Sequence, residues 1–191
     1  MTEEQKPFYL IVIDPSLNSS GWAVFIVKDK PKILSFGHIP NHHFTTKQIG
    51  LKLAHIESEL FRLKNMYYPH VVIKEELVTK TKDAMVGVNV SFESPILAKV
   101  HGIAEKVFLN LEIEDVHNKQ FKLRFTGHGE ASKGKVEEEC KKYEKELQAK
   151  TEFKTPPFNF RTDDESDAVG IGIDWLIRNE YLKNRRREVA K

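Results

Sequence analysis

Acids placed at the ends of apolar runs are the residues of this 191-residue chain best suited to chemistry. The first stands in Tyr9-Leu-Ile-Val-Ile-Asp14-Pro-Ser-Leu-Asn-Ser-Ser-Gly21-Trp. Pro15 has no N–H to give to a ladder and ends the apolar run as a strand. Gly21 then opens a second apolar run, so a β-hairpin is expected with Asp14 at its mouth. An aspartate in such a place commonly caps a turn. Other carboxylates weigh against that reading. Val71-Val-Ile73 runs straight into Lys74-Glu75-Glu76, and period-two alternation favours Glu75 over Glu76 as the acid sharing a face with Ile73. Near the C-terminus, at about 100° per residue, Asp164, Ala168, Ile171, Trp175 and Leu182 fall on one helical stripe expected to face a sheet. Asp167 lies about 60° to one side of Asp164. Acids in a first turn suit the helix dipole, which accounts for Asp163, Asp164 and Glu165 better than for Asp167.

Brought to one sheet edge, Asp14, Glu75 or Glu76, Asp164 and Asp167 would form a cluster of three or four carboxylates. Hard oxygen ligands at that density suit Mg²⁺ or Mn²⁺, and the chain has no Cys/His spacing for zinc. Two such ions about 4 Å apart could activate a water and stabilise the leaving oxygen of an in-line phosphodiester cleavage.

The elements that must position these acids can be read in order. Three strands over about 9–39 form an antiparallel meander. Ile49, Leu53, Ile56, Leu60 and Leu63 give an amphipathic helix over about 46–66, stopped by Tyr68-Pro69. A short strand at 71–73 precedes a long loop over 77–92. Ser94-Pro95 starts a second helix, and a fifth strand runs over 111–116. A short helix over 118–125, a glycine turn and a helix carrying Val136, Cys140, Tyr143 and Leu147 follow. The residues 151–162 form a linker, and the last helix spans about 163–182. This order predicts an α/β fold with a mixed sheet of five strands flanked by helices, the later strands parallel to the first. Val169, Ile173, Leu176 and Ile177 make a second apolar face on the last helix, to be covered by helices of the same chain or by a second subunit.

The length suits one domain, expected over 1–182 with a basic tail over 183–191. A single cysteine, Cys140, excludes an internal disulfide and fits a reducing, cytoplasmic setting. No signal peptide and no membrane-spanning run is present, so no membrane partner is expected. A formal net charge of +2 rules out a uniformly polybasic chain. The basic residues are clustered, however. Lys122, Arg124, Lys133 and Lys135 flank Gly127 and Gly129, where glycine would let backbone N–H groups approach phosphate. Lysines such as Lys141, Lys142 and Lys145 are ordinary solvated surface, and so are His42 and His43. Arg185, Arg186 and Arg187 could add non-specific phosphate binding or form a loose end. Met85 and Phe92 in the long loop could wedge into an opened duplex, although core packing is an equal role for Phe92.

Four stretches together resemble one family. The Asp14 hairpin is similar to the first motif of the RuvC family of Holliday-junction resolvases, in the RNase H-like superfamily. Val72-Ile-Lys-Glu75-Glu76 is similar to its second acidic motif, and Asp164-Glu-Ser-Asp167-Ala-Val resembles its closing Asp-x-x-Asp-Ala helix. Lys122-Leu-Arg-Phe-Thr-Gly127-His-Gly129-Glu-Ala-Ser-Lys133 resembles the segment in which lysines bracket a Gly-x-Gly turn. The resemblance implies an RNase H-like fold, a homodimer, and Mg²⁺-dependent symmetric nicking of four-way DNA junctions, with Lys122 and Lys133 on the DNA. The linker and basic tail after Leu147 look more like viral or phage members. The rivals are an RNase H-like nuclease acting on flaps, branched DNA or RNA–DNA hybrids, a junction-binding protein with a dead site, and an actin or sugar-kinase type ATP-binding fold. The last needs a second nucleotide-embracing domain for which 191 residues leave little room.

Overall fold

The computed structural model describes residues 6–77, 95–148 and 157–185. Strands β1 (Phe8–Asp14), β2 (Ser19–Val27) and β3 (Lys32–Pro40) form the antiparallel meander. Helix α1 (Ile49–Tyr67), strand β4 (Val71–Glu75), helix α2 (Pro95–Val107) and strand β5 (Glu112–Val116) follow. The chain then builds α3 (Asn118–Thr126), α4 (Lys133–Leu147) and α5 (Asp163–Arg178). The sheet order is β3-β2-β1-β4-β5, with β4 parallel to both β1 and β5, so the expected mixed five-stranded sheet is present. Helical crossovers return each of the last two strands in the direction of β1.

Alternation along the strands divides the interior into two cores. Leu10, Val12, Ala23, Phe25 and Ile73 pack with α3, α4 and α5 on one face of the sheet. Ile11, Ile13, Val24 and Val72 pack with α1 and α2 on the other. Both acids at the strand ends, Asp14 and Glu75, continue the α5-facing series.

Three expectations are corrected. The helix expected from about Thr46 starts at Ile49, because 45–48 close on themselves as a turn through Gln48 N to Thr45 O and Thr45 N to Gln48 Oε1. The last helix ends at Arg178, four residues short of Leu182. Glu180 takes a left-handed φ of 63°, and the amides of Tyr181 and Leu182 donate back to Leu176 O at 2.8 and 3.2 Å. That reversal tucks Leu182 into the core from outside the helix. Finally, Val169, Ile173 and Leu176 are fully buried in the same cluster as Phe121, Phe125, Val136, Cys140 and Tyr143. Helices of the same chain cover the second face of α5, of which Ile177 alone is only partly buried, so the first of the two expected covers is the one observed.

The expected N-cap Ser94, most of the 77–92 loop with Met85 and Phe92, the linker residues 151–156, and Arg186, Arg187 and Lys191 lie outside the described residues. Within them no helix is long and apolar enough to cross a membrane.

Candidate active site

β1 and β4 are adjacent and parallel, with Ile13 opposite Lys74, so their carboxyl ends place Asp14 beside Glu75. Open α/β sheets bind ligands outside the carboxyl ends of their strands. Glu75 is half-buried and faces Asp14, whereas Glu76 is exposed and gives its amide to Val116 O at 3.0 Å. Asn118, at the start of α3, donates from Nδ2 to Glu75 Oε1.

The third contribution comes from α5. Thr162 caps it, with Oγ1 accepting from Glu165 N at 3.3 Å. Glu165 reaches back to accept from Arg161 N at 2.7 Å, which ties the residue before the cap to the first turn. Gly21 lets this end of the helix lie directly on the hairpin, since a Cβ there would stand 1.9 Å from the Asp164 carbonyl oxygen. Further along, Gly172 does the same against Phe25. Asp164 and Asp167 thereby arrive over the mouth of the Asp14 hairpin.

The four carboxylates sense one another. Burial first, then a side-chain hydrogen bond to Glu75 and the charges of Glu75, Asp167 and Asp164, push the Asp14 carboxyl well above its ordinary range. Crowded acids raise one another in this way, because each added negative charge disfavours ionising the next. Asp167 is pushed up to about 6, chiefly by burial and further by Glu75 and Asp164, with Lys122 and Lys133 pulling the other way. Its Oδ1 is buried without a hydrogen-bond partner. Among the described residues no three His, Cys, Asp or Glu side chains already stand at mutual ligand distance. An all-oxygen donor set, an orphaned buried carboxylate oxygen and mutually raised acids nevertheless fit a hard divalent cation, which would relieve the repulsion once the side chains close on it.

Two of the four expected basic residues join this group. Lys122 Nζ is 3.9 Å from Asp167 Oδ2, with its side chain largely buried. Lys133 Nζ is 3.1 Å from Asp163 Oδ2. Burial opposes the charge on Lys133, but Asp163, Asp164 and Asp167 outweigh it and raise the ammonium above its usual range. Arg124 and Lys135 are not brought to the carboxylates. Arg124 donates from Nη2 to the buried Asp174 at 2.7 Å, two turns along α5, and Lys135 pairs with Glu138 and Glu139 on its own helix. Nor are the amides of Gly127 and His128 free for phosphate. Gly127, at φ 92°, is the left-handed cap of α3 and gives its N–H to Leu123 O at 3.0 Å. His128 gives its own to Thr126 Oγ1. The Gly-x-Gly turn is a helix stop that sets Lys122 and Lys133 on either side of α5's start.

Sequence reasoning missed Asn118, the Glu165–His38 pair at 2.6 Å and the Arg124–Asp174 fork. Asn118 was within reach: β5 lies beside β4, and Glu75 pairs with Val116, two residues before it. His38 was not, because a register shift at Val24/Phe25 breaks simple counting from β2 to β3.

No protein-family model matches the chain. The crossover junction endodeoxyribonuclease RuvC of Ehrlichia ruminantium (strain Gardel) is 29% identical over 173 residues, spanning 86% of this chain and 93% of the relative. That of Caldicellulosiruptor saccharolyticus is 24% identical over 179 residues, spanning 93% and 97%. Among solved structures, Thermus thermophilus RuvC matches with a TM-score of 0.63 at 16% identity, covering 91% of this chain and 97% of that one. The same protein in complex with a Holliday junction substrate matches at 0.62 and 14%, with the same coverage. The chain is thus similar nearly end to end to curated RuvC crossover junction endodeoxyribonucleases, and it shares the α/β fold of the solved RuvC structures.

Proposed function

We propose that the chain is a divalent-metal-dependent endodeoxyribonuclease that nicks four-way DNA junctions symmetrically as a homodimer. The observation that carries this reading is the approach of Glu75, Asp164 and Asp167, from a strand end and a helix start, to the buried Asp14, whose carboxyl they help to push well above its ordinary range. Relatives named crossover junction endodeoxyribonuclease support the substrate class.

In this reading Asp14, Glu75, Asp164 and Asp167 hold Mg²⁺ or Mn²⁺. When bound, such ions supply an activated water and stabilise the leaving oxygen of an in-line displacement. The chain's own residues do the rest. Asn118 fixes the rotamer of Glu75. Lys122, largely buried against Asp167, and Lys133, exposed beside Asp163, present cations on the α3/α4 side of the carboxylates, where a phosphate would otherwise be repelled. Such contacts position the strand without reading its sequence.

The test is Asp14→Asn on matched linear, forked and four-way DNAs, with Mg²⁺ and with chelator. The variant is expected to bind the four-way junction like the parent protein while nicking falls by about 100-fold or more, since even outer partners of metal ligands can cost that much. Undiminished nicking by the variant removes Asp14 from the mechanism. Cleavage of forks or RNA–DNA hybrids in preference to junctions transfers the site to another substrate of the same chemistry.

A further inference from the structure

Asp14 is the end of a row that crosses the sheet. It pairs with Gly21, and Gly21 pairs with His38 on β3. Two strand spacings separate the ends of the row by about 10 Å. Residues directly opposite in antiparallel strands share a face, so Asp14 and His38 both look toward α5. The helix begins above the middle of the row, with the Asp164 carbonyl over Gly21. It splits the row in two. Asp164 and Asp167 act on Asp14 on one side, and Glu165 takes His38 on the other.

Glu165 has no oxygen to spare. Oε1 meets His38 Nδ1 at 2.6 Å, Oε2 accepts from Arg161 N at 2.7 Å, and only 4% of its side chain is exposed. A carboxylate can only accept, so Nδ1 of His38 carries the shared proton and its ring is fixed in place. That ring and Glu165 line an open groove of about 510 Å³ between the end of β3 and residues 157–161. Phe36 and Pro40 form its apolar wall, and Asn159 and Arg161 stand exposed along it. Among the described residues the Arg161 guanidinium pairs with no carboxylate, while Arg124, Lys133, Lys135, Arg178 and Arg185 are all in ion pairs. The groove thus holds an uncommitted cation, and its His38 wall lies about two strand spacings from a centre whose own charge repels DNA.

We propose that this groove is a second backbone subsite, which grips the DNA strand on the side of the scissile phosphate opposite Lys122 and Lys133. Arg161 and Asn159 donate to a phosphate, and the His38 ring, held by Glu165, forms the floor. At a rise of about 3.4 Å per nucleotide in a duplex strand, and more in an opened one, the offset of about 10 Å between Asp14 and the His38 floor corresponds to one to three nucleotides from the cut. The assignment rests on the nuclease reading above.

The experiment uses the full chain and four-way junctions in which single phosphates, one to three nucleotides from the mapped nick, are replaced by uncharged methylphosphonates. Binding is followed by fluorescence anisotropy with chelator present, across a salt series. Arg161→Ala should weaken binding to the unmodified junction by about five- to tenfold and flatten the slope of log K against log salt by about 1. Arg161→Lys should recover part of both. One methylphosphonate should weaken the parent protein by a similar factor and leave Arg161→Ala unaffected. The alanine variant keeps the amide that Glu165 needs, so its unfolding midpoint reports on folding separately. If Arg161→Ala matches the parent in affinity and slope, or every methylphosphonate weakens both proteins equally, the subsite is overturned while the nuclease reading stands. If the parent protein neither binds nor nicks junctions, the nuclease reading falls and the subsite falls with it.

Discussion

Asp167 is held near 6 by burial and by the negative neighbours it cannot escape. A free aspartate titrates near 3.9. The folded chain therefore binds more protons than the unfolded chain between those two values, and stability falls as pH rises through that interval. This stabilisation is complete below about pH 4 and gone above about 6. One group shifted this far contributes roughly 3 kcal/mol at most, and Asp14, moved in the same direction, adds to it. Metal-free protein is accordingly expected to melt at lower temperature at pH 7 than at pH 5, with Asp167→Asn flattening that dependence. Mn²⁺ should restore the midpoint of the parent protein at pH 7 and act much more weakly on the variant. A midpoint that rises steadily from pH 4 to 7 without metal would contradict the assigned electrostatics. The same scale shows why Arg124 and Lys122 differ despite standing two residues apart. Arg124 compensates Asp174, a carboxylate only 3% exposed, whereas Lys122 sits beside an acid that retains an unpartnered oxygen.

Helix α5 is the element on which the arrangement depends, and two glycines let it lie against the sheet. Adding a methyl at Gly21 drives it into the Asp164 backbone, which has no side-chain freedom with which to yield. Gly21→Ala is expected to cost about 1–3 kcal/mol or more by overpacking, and to displace Asp164 from Asp14. Glycine is not required everywhere. Gly102 lies inside α2 with nothing within 4 Å of an added Cβ. Gly102→Ala should raise stability by about 0.5–1 kcal/mol through helix propensity and a less flexible unfolded chain. Chemical denaturation of both variants beside the parent protein checks the pair of signs. Equal effects would mean that helix propensity, and not the contact with Asp164, governs position 21.

At the scale of the whole molecule, enclosure of α5 between the sheet and α3/α4 removes it as a surface for a second copy. Three of the six large exposed apolar side chains among the described residues, Leu51, Phe61 and Met66, lie instead on α1, on the opposite face of the sheet. A dimer built there would leave both carboxylate centres open. Sedimentation is expected to give about twice the 22.1 kDa chain mass. On a supercoiled plasmid with an extruded cruciform, paired nicks in one binding event should yield linear DNA. Accumulation of nicked circles, or a monomer at micromolar concentration, would dismiss the symmetric two-subunit mechanism.

The periodicities carried the element order, the mixed sheet and the four acids, because the apolar spacing that buries a strand or helix also fixes which acid continues its buried face. The choice of Glu75 over Glu76 came from that rule and matches the side-chain placement. Sequence alone also placed Lys122 and Lys133 on either side of a turn. It could not assign charges to partners, since Arg124 meets Asp174 fifty residues away, and the distance between segments is set by how helices pack. Nor could it show that Gly127 caps a helix, that Leu182 enters the core after a left-handed reversal, or that His38 shares a row with Asp14 across a shifted register. The first two turn on a backbone dihedral that residue type alone leaves open, and the last depends on one segment touching another, which only the folded chain brings about.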